Sequence, residues 1–97
     1  MAYDPGAIDA TLAAAVGDEP ALIAELRAAF IESATGGVAA LEAAVDSTGW
    51  RVAAWRLKGL AASFGAMTLM ALAAEAAERD AFDPVLLRRL RRTVERL

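Results

Sequence analysis

Apolar residues recur three and four positions apart along nearly the whole chain, which is the spacing of an amphipathic α-helix. Proline, aspartate and glycine residues interrupt this pattern and divide it into six predicted helices. The predicted helices cover residues 4–16, about 20–34, about 38–46, about 50–64, about 66–79 and about 84–97. No segment has the alternating pattern of a β-strand, and no internal repeat or low-complexity segment is visible.

Glycine-containing segments separate several of these predicted helices. Gly17 is expected to stop the first helix, residues 35–37 (Thr-Gly-Gly) to break the second, and residues 47–49 (Ser-Thr-Gly) to end the third. Gly65 is expected to separate the fourth helix from the fifth. Short loops between helices favour antiparallel neighbours. The expected fold is therefore all-α, an antiparallel up-down four-helix bundle with a short additional N-terminal helix.

Length and composition predict one small helical domain over residues 1–97. The chain is 58% hydrophobic, but much of this fraction is alanine, which adds little core volume. The larger apolar residues are therefore expected to supply most of the packing: Leu26, Phe30, Leu41, Leu57, Leu90 and Val94. The abundance of alanine and arginine suggests a bacterial genome rich in G and C.

Charge and residue content argue against several classes of function. No apolar run approaches the roughly 20 residues that span a bilayer, and no leader opens the chain, so we expect a cytoplasmic protein without membrane partners. Cysteine and histidine are absent, and we expect no metal or other cofactor. The net charge of -3 argues against nucleic-acid binding. The C-terminal arginines are instead expected to complement the negative end of the last helix: Arg88, Arg89, Arg91, Arg92 and Arg96.

The fourth predicted helix carries one face for the core and a second, unusual face. On a helical wheel, large and small apolar residues fall within about 60° of Leu57 and form the predicted core stripe: Trp50, Ala53, Ala54, Leu60, Ala61 and Phe64. Trp55 lies about 160° from Leu57, among Val52, Gly59 and Ala62. A glycine inside a helix is less stable than alanine by about 0.5–1 kcal/mol. Gly59 therefore suggests that a partner approaches this face closely.

Simpler interpretations of the same residues remain open. Trp55 could pack back over Val52 and Ala62, or the N-terminal helix could cover it. Lys58 could be an ordinary solvated residue, although it is the only lysine among ten basic residues, which favours a specific role. Three further large residues in or beside this helix are predicted to belong to the core: Trp50, Phe64 and Met67.

Residues 55–66, Trp-Arg-Leu-Lys-Gly-Leu-Ala-Ala-Ser-Phe-Gly-Ala, resemble the signature helix of histidine-containing phosphotransfer (HPt) domains. The spacing of residues 57–59 (Leu-Lys-Gly), Ser63 and residues 65–66 (Gly-Ala) carries most of this resemblance. The resemblance extends over nearly the whole chain. Its other elements are Ile8-Asp9-x-x-Leu12, Gly17-Asp18-Glu19-Pro20, the helix that contains Phe30, and the aromatic Trp50.

The resemblance implies a degenerate member that lacks the phosphoacceptor. In the family, a histidine receives a phosphoryl group from a receiver-domain aspartate, but Trp55 occupies that position and the chain has no histidine. The family's lysine and glycine, three and four residues later, match Lys58 and Gly59, and Ser63 matches a small polar position. An indole nitrogen has no usable lone pair for attack on phosphorus. We therefore expect no catalytic residue and no enzymatic activity.

The interpretation we favour is a non-catalytic binding module of two-component or phosphorelay signalling. It would bind a response-regulator receiver domain or a histidine kinase as an inhibitor, competitor or adaptor. The predicted partner-binding residues are Arg51, Val52, Trp55, Arg56, Lys58, Gly59, Ala62 and Ser63. The alternative is a structural or homo-oligomerising helical domain, although we expect a monomer rather than a homodimer. An acidic cluster is better explained as solvated surface than as an enzyme site, because no base or nucleophile accompanies it: Glu75, Glu78 and Asp80.

Overall fold

The computed structural model of the chain describes residues 5–17, 19–79 and 82–97. These residues form five α-helices and no strand, which confirms the all-helical prediction. The helices are α1 (Pro5–Val16), α2 (Pro20–Ala43), α3 (Ser47–Ser63), α4 (Met67–Ala77) and α5 (Pro84–Glu95). Within the described ranges, no helix combines the length and apolar character that crossing a membrane requires. Asp4, Asp18 and Asp80, which enter the predictions above, lie outside the described residues.

Helix α2 is continuous through Gly36 and Gly37, so the predicted break at residues 35–37 is wrong. Two glycines weaken a helix by about 2 kcal/mol relative to alanine. The helix continues because its buried stripe continues: Phe30, Ala34, Val38 and Leu41 all face the core. Full burial of one valine or leucine side chain contributes about 1.5–3 kcal/mol, so two such residues beyond the glycines outweigh their low propensity.

Helix α3 begins at Ser47, three residues before the predicted start at Trp50. Residues 47–49 were expected to end a preceding helix, and they instead form the first turn of α3. The cause is Asp46, whose carboxylate accepts a hydrogen bond of 2.7 Å from the Gly49 amide. This bond satisfies one of the free N–H groups at the helix start, as an N-cap aspartate does.

Three other helix boundaries agree with signals in the sequence: the ends of α1 and α3 and the start of α5. Gly17 and Gly65 have positive φ angles of 83° and 71°, a backbone conformation that favours glycine, and they follow the ends of α1 and α3. Asp83 caps α5 by accepting hydrogen bonds from the amides of Val85 and Leu86, each 3.1 Å long. Pro84 then occupies the first turn of the helix, where its missing N–H is not needed.

The core contains most of the residues that composition selected. Phe30, Leu41, Leu57, Leu90 and Val94 are buried, and Leu26 is partly buried against them. Phe64 also packs on the core, with its ring stacked on that of Phe30 at a centroid distance of 4.6 Å.

Two apolar residues lie outside the core although their positions in the sequence suggested otherwise. Val45, which falls within the predicted helix over about 38–46, is 95% exposed because α2 ends at Ala43 and leaves it in the following loop. Met67, predicted as a core residue, is 54% exposed. It begins α4, and helical geometry places it about 160° away from the buried Leu69.

The helices contact one another in a defined order. Helix α3 packs against both α2 and α4, α5 packs against both α2 and α4, and α1 packs against α2. Arg27 of α2 links elements far apart in sequence, since it forms an ion pair with Asp9 and donates a hydrogen bond of 2.7 Å to the Leu97 carbonyl. These contacts hold α3 between two neighbours and leave its remaining side free.

Candidate interaction surface

Helix α3 has a buried face and an exposed face, as the wheel predicted. The buried face comprises Trp50, Ala53, Ala54, Leu57 and Ala61. The predicted partner-binding residues are all exposed apart from Lys58, which is half-buried. They form what we call the Trp55 face: Arg51, Val52, Trp55, Arg56, Lys58, Gly59, Ala62 and Ser63. Their positions agree with the prediction, and their role in binding stays a prediction.

The indole of Trp55 is the largest exposed group on this face. Trp55 keeps 56% of its surface exposed, and the neighbouring Val52 keeps 44%. The alternative in which the N-terminal helix covers Trp55 is therefore wrong for the described part of that helix, which packs on α2 instead. An exposed tryptophan next to an exposed valine gives the face an apolar centre.

Lys58 lies against the Trp55 ring. Its Nζ is 4.4 Å from the ring centroid, within the range of a cation–π interaction. No described carboxylate forms an ion pair with Lys58, Arg51 or Arg56. The apolar centre is therefore bordered by basic groups whose charge the described part of the chain does not neutralise.

Gly59 has open space where a side chain would project. A Cβ built at this position meets nothing within 4 Å, so no contact inside the chain requires a glycine here. Ser63 lies one turn later and donates its hydroxyl proton to the Gly59 carbonyl at 3.0 Å. The centre of α3 thus presents a nearly flat backbone surface beside Trp55.

Arg56 lies at the border of the face rather than beside the indole. It lines a surface groove of about 270 Å³ between α2 and α3, together with Ser33, Gly36 and Gly37. A Cβ at Gly37 would lie 2.9 Å from Leu57 Cδ1, so a larger residue there would force the Leu57 side chain to shift. The two helices therefore approach closely at Gly37, and Arg56 projects at the edge of that contact.

Trp50, unlike Trp55, is buried and hydrogen-bonded inside the protein. It is 1% exposed, and its Nε1 donates a hydrogen bond of 2.8 Å to the Ala76 carbonyl of α4. Its ring also packs edge-on against Phe82, with centroids 6.2 Å apart. This confirms the prediction that Trp50 is a packing residue, and it assigns the exposed role on α3 to Trp55.

Glu75, late in α4, takes part in surface ion pairs. Glu75 contacts Arg79 at 3.1 Å and Arg89 at 3.6 Å. Within residues 5–17, 19–79 and 82–97, no group of three or more acidic side chains is placed to hold a metal ion. Glu75 is therefore partly exposed and paired with arginines, Glu78 is exposed, and Asp80 lies outside the described residues.

The contact between Lys58 and Trp55 was not predicted from the sequence. Its signal was nevertheless present, because residues three apart on a helix are neighbours on its surface. The wheel placed Trp55 away from the core, but the lysine was considered only as a single charged residue. The observed geometry makes them one composite group, an aromatic ring with a cation on its surface.

Comparison of the chain with models of protein families, with curated proteins and with solved structures found no match. The comparisons therefore neither support nor refute the resemblance to HPt domains. A functional interpretation of the Trp55 face depends on its own residues and geometry.

Proposed function

We propose that this chain is a non-catalytic, HPt-like protein of two-component or phosphorelay signalling in the bacterial cytoplasm. It binds a response-regulator receiver domain or a histidine kinase through the Trp55 face, and it acts as an inhibitor, competitor or adaptor. The observation that carries the proposal is the exposed Trp55 with Lys58 on its ring. By the resemblance, Trp55 takes the position of the family's phosphoacceptor histidine, and Lys58 takes that of its lysine.

The helix contacts support the corresponding fold. The four helices α2 to α5 form a closed series in which each contacts the next and α5 returns to α2. Such a series favours an up-down four-helix bundle, with α1 as the additional N-terminal helix on α2. In this arrangement the Trp55 face is the free side of one bundle helix, which a partner can reach without disturbing the core.

The chemistry of the face limits the proposal to binding. Without histidine, the chain cannot form phosphohistidine, and the indole of Trp55 cannot take its place as a nucleophile. The phosphorylation pocket of a receiver domain is acidic and bordered by apolar residues. Trp55 and Val52 complement the apolar border, and Arg51 and Lys58 complement the acidic pocket.

The residue types on the Trp55 face indicate that a few anchor residues would supply most of the binding free energy. Tryptophan and arginine are enriched among the residues that dominate interface free energy, and removal of such an anchor weakens binding by about 2 kcal/mol or more. Trp55 is the natural anchor because it is large, exposed and held by one cation contact. Gly59 allows a partner's backbone or side chain to approach α3 closely.

Binding to purified receiver domains tests the proposal. We expect calorimetry to show binding by the wild type and a loss of about 2 kcal/mol, roughly 30-fold in Kd, for Trp55→Ala. Val85→Ala is the matched control, because Val85 is 55% exposed on α5 and lies outside the Trp55 face. Equal receiver binding by the wild type and Trp55→Ala would contradict the proposal.

The alternative function is self-association, and the exposed Val52 and Trp55 pair is the observation that favours it. Sedimentation velocity over a concentration series distinguishes the two functions. A dimer that dissociates in Trp55→Ala but not in Val85→Ala supports self-association. A blue-shifted Trp55 emission in a Trp50→Phe background would show that the dimer buries this indole.

A further inference from the structure

A second surface, on different helices from the Trp55 face, combines an apolar floor with a basic wall. It is a groove of about 400 Å³ between α4 and α5, which we call the α4–α5 groove. Ala71 and Leu72 form its floor, and Arg89, Arg92 and Arg96 line one side. We propose that this groove binds an acidic amphipathic helix of a partner protein.

The charge of the basic wall is only partly neutralised within the chain. Arg89 contacts Glu75 at 3.6 Å, whereas Arg92 and Arg96 form no ion pair with any described residue. The whole chain carries a net charge of -3, so this cationic stripe opposes the overall charge. A local basic surface on an acidic protein attracts an acidic segment to that one place.

The position of two arginines near the end of α5 has a simpler partial explanation. Cations in the last helical turn interact favourably with the helix dipole. That effect explains why positive charges stand at positions 92 and 96, but it does not explain why these side chains line a groove. It also does not account for Arg89, which lies near the middle of α5. The three residues are spaced three and four apart, so they line one side of the helix.

Met67 supplies the apolar contact that a charged surface alone would lack. It lines the groove at the start of α4 and is 54% exposed. Methionine is flexible and polarizable, and it suits a surface that receives apolar side chains from a partner. Ala71, the exposed small residue on the floor, leaves room for a second helix to pack closely.

The length of the groove fits about two turns of a docked helix. Its lining on α4 runs from Met67 to Glu75, a span of eight residue steps or about 12 Å along the helix axis. A partner helix with apolar residues at positions i, i+4 and i+7 would contact Met67 and the floor. Glutamates beside that stripe would then pair with Arg92 and Arg96.

The test uses a fluorescein-labelled helical peptide of about 14 residues, with leucines at i, i+4 and i+7 and glutamates beside them. A matched peptide carries lysine in place of every glutamate. We expect fluorescence anisotropy to show binding of the acidic peptide only. The double variant Arg92→Glu/Arg96→Glu should weaken that binding at least tenfold, and Met67→Glu should weaken it through a different residue.

Arg88→Glu is the control for general charge effects, because Arg88 is exposed on the same helix but does not line the groove. Trp55→Ala should bind the peptide as the wild type does, which separates this inference from the proposed function. Circular dichroism verifies that each variant keeps its helices.

Several results would overturn the inference. The inference is wrong if the acidic peptide does not bind. It is also wrong if Arg88→Glu and the double variant weaken peptide binding equally. Tighter groove binding by a single-stranded oligonucleotide of equal charge would assign the groove to nucleic acid instead. Self-association that the double variant abolishes would assign it to a second copy of the chain.

Discussion

The Nζ of Lys58 lies 4.4 Å from the centroid of the Trp55 ring, so the only lysine of the chain contacts its one exposed tryptophan. The two residues lie three apart on α3, on the side that faces away from the core. The pair joins an apolar ring and a cation in one exposed group. The contact also restrains the lysine chain before any partner arrives, which lowers the entropy lost on binding.

The first prediction concerns the strength of this contact. A double-mutant cycle with Lys58→Met and Trp55→Leu should give a coupling of about 0.5–1 kcal/mol in urea denaturation. The matched cycle replaces Lys58→Met by Arg51→Met, because Arg51 is on the same face while the cation on the ring is that of Lys58. Its coupling should be close to zero. Equal coupling energies in the two cycles would show that the contact between Lys58 and the Trp55 ring does not stabilise the protein.

The second prediction contrasts the two tryptophans through one substitution. Trp50→Phe removes a buried hydrogen bond to the Ala76 carbonyl and should lower the free energy of unfolding by about 1–2 kcal/mol. Trp55→Phe should change it by less than about 0.5 kcal/mol, since the ring is largely exposed. Chemical denaturation of both variants measures the difference. A larger loss for Trp55→Phe would mean that the indole is a packing residue.

The third prediction uses the neighbouring glycines of α2. Gly36→Ala should stabilise the protein by about 0.5–1 kcal/mol, because its Cβ meets nothing within 4 Å and alanine is the better helix former. Gly37→Ala should be less stable than Gly36→Ala by about 1 kcal/mol or more, because its Cβ would lie 2.9 Å from the buried Leu57 Cδ1. Thermal and urea denaturation test this order, and equal stabilities would contradict the close approach of α2 and α3.

The fourth prediction separates stability from binding at Gly59. Gly59→Ala should stabilise the fold by about 0.5–1 kcal/mol, since a Cβ there has open space. The same substitution should weaken receiver binding if a partner approaches α3 at this point. Gly36→Ala serves as the control with a similar gain in stability and no effect on binding. Unchanged receiver binding by Gly59→Ala would show that the partner does not contact α3 at Gly59.

The fifth prediction restores the missing chemistry. Trp55→His should accept a phosphoryl group from a phosphorylated receiver domain, with Lys58 and Gly59 already in place. Trp55→Gln is the control, because it is polar and similar in exposure but lacks a nucleophilic nitrogen. Lys58→Ala in the histidine background should slow the transfer. A folded Trp55→His variant that accepts no phosphate from several receivers would contradict the assignment of this position.

The sequence predicted several helix boundaries that local chemistry decides, although it missed the Asp46 cap at the start of α3, and it failed where packing decides. The start of α5 followed from Asp83 and Pro84, and the end of α1 followed from Gly17, because caps and turns depend on neighbouring residues. The continuity of α2 did not follow, because the burial of Val38 and Leu41 depends on helices distant in sequence. Helix propensity alone placed a break where tertiary contacts maintain the helix.

The orientation of the Trp55 face was predictable for a geometric reason. A rotation of about 100° per residue fixes which residues share a side once the helix is known. The contact between Lys58 and Trp55 needed more, namely the side-chain rotamers, which the sequence does not specify. The α4–α5 groove was missed because its two walls come from helices whose packing the pattern cannot supply.

Helix α3 keeps its folding residues and its exposed residues on opposite sides. Leu57 and Ala61 are buried, while Val52 and Trp55 contribute little to the core. Substitutions on the outer side therefore change the free energy of folding by about 1 kcal/mol or less. Neutral drift can therefore change the residues of the outer side, while selection for folding preserves those of the inner side. Such a protein can change the partner that it binds over evolutionary time, because every intermediate sequence along the way still folds.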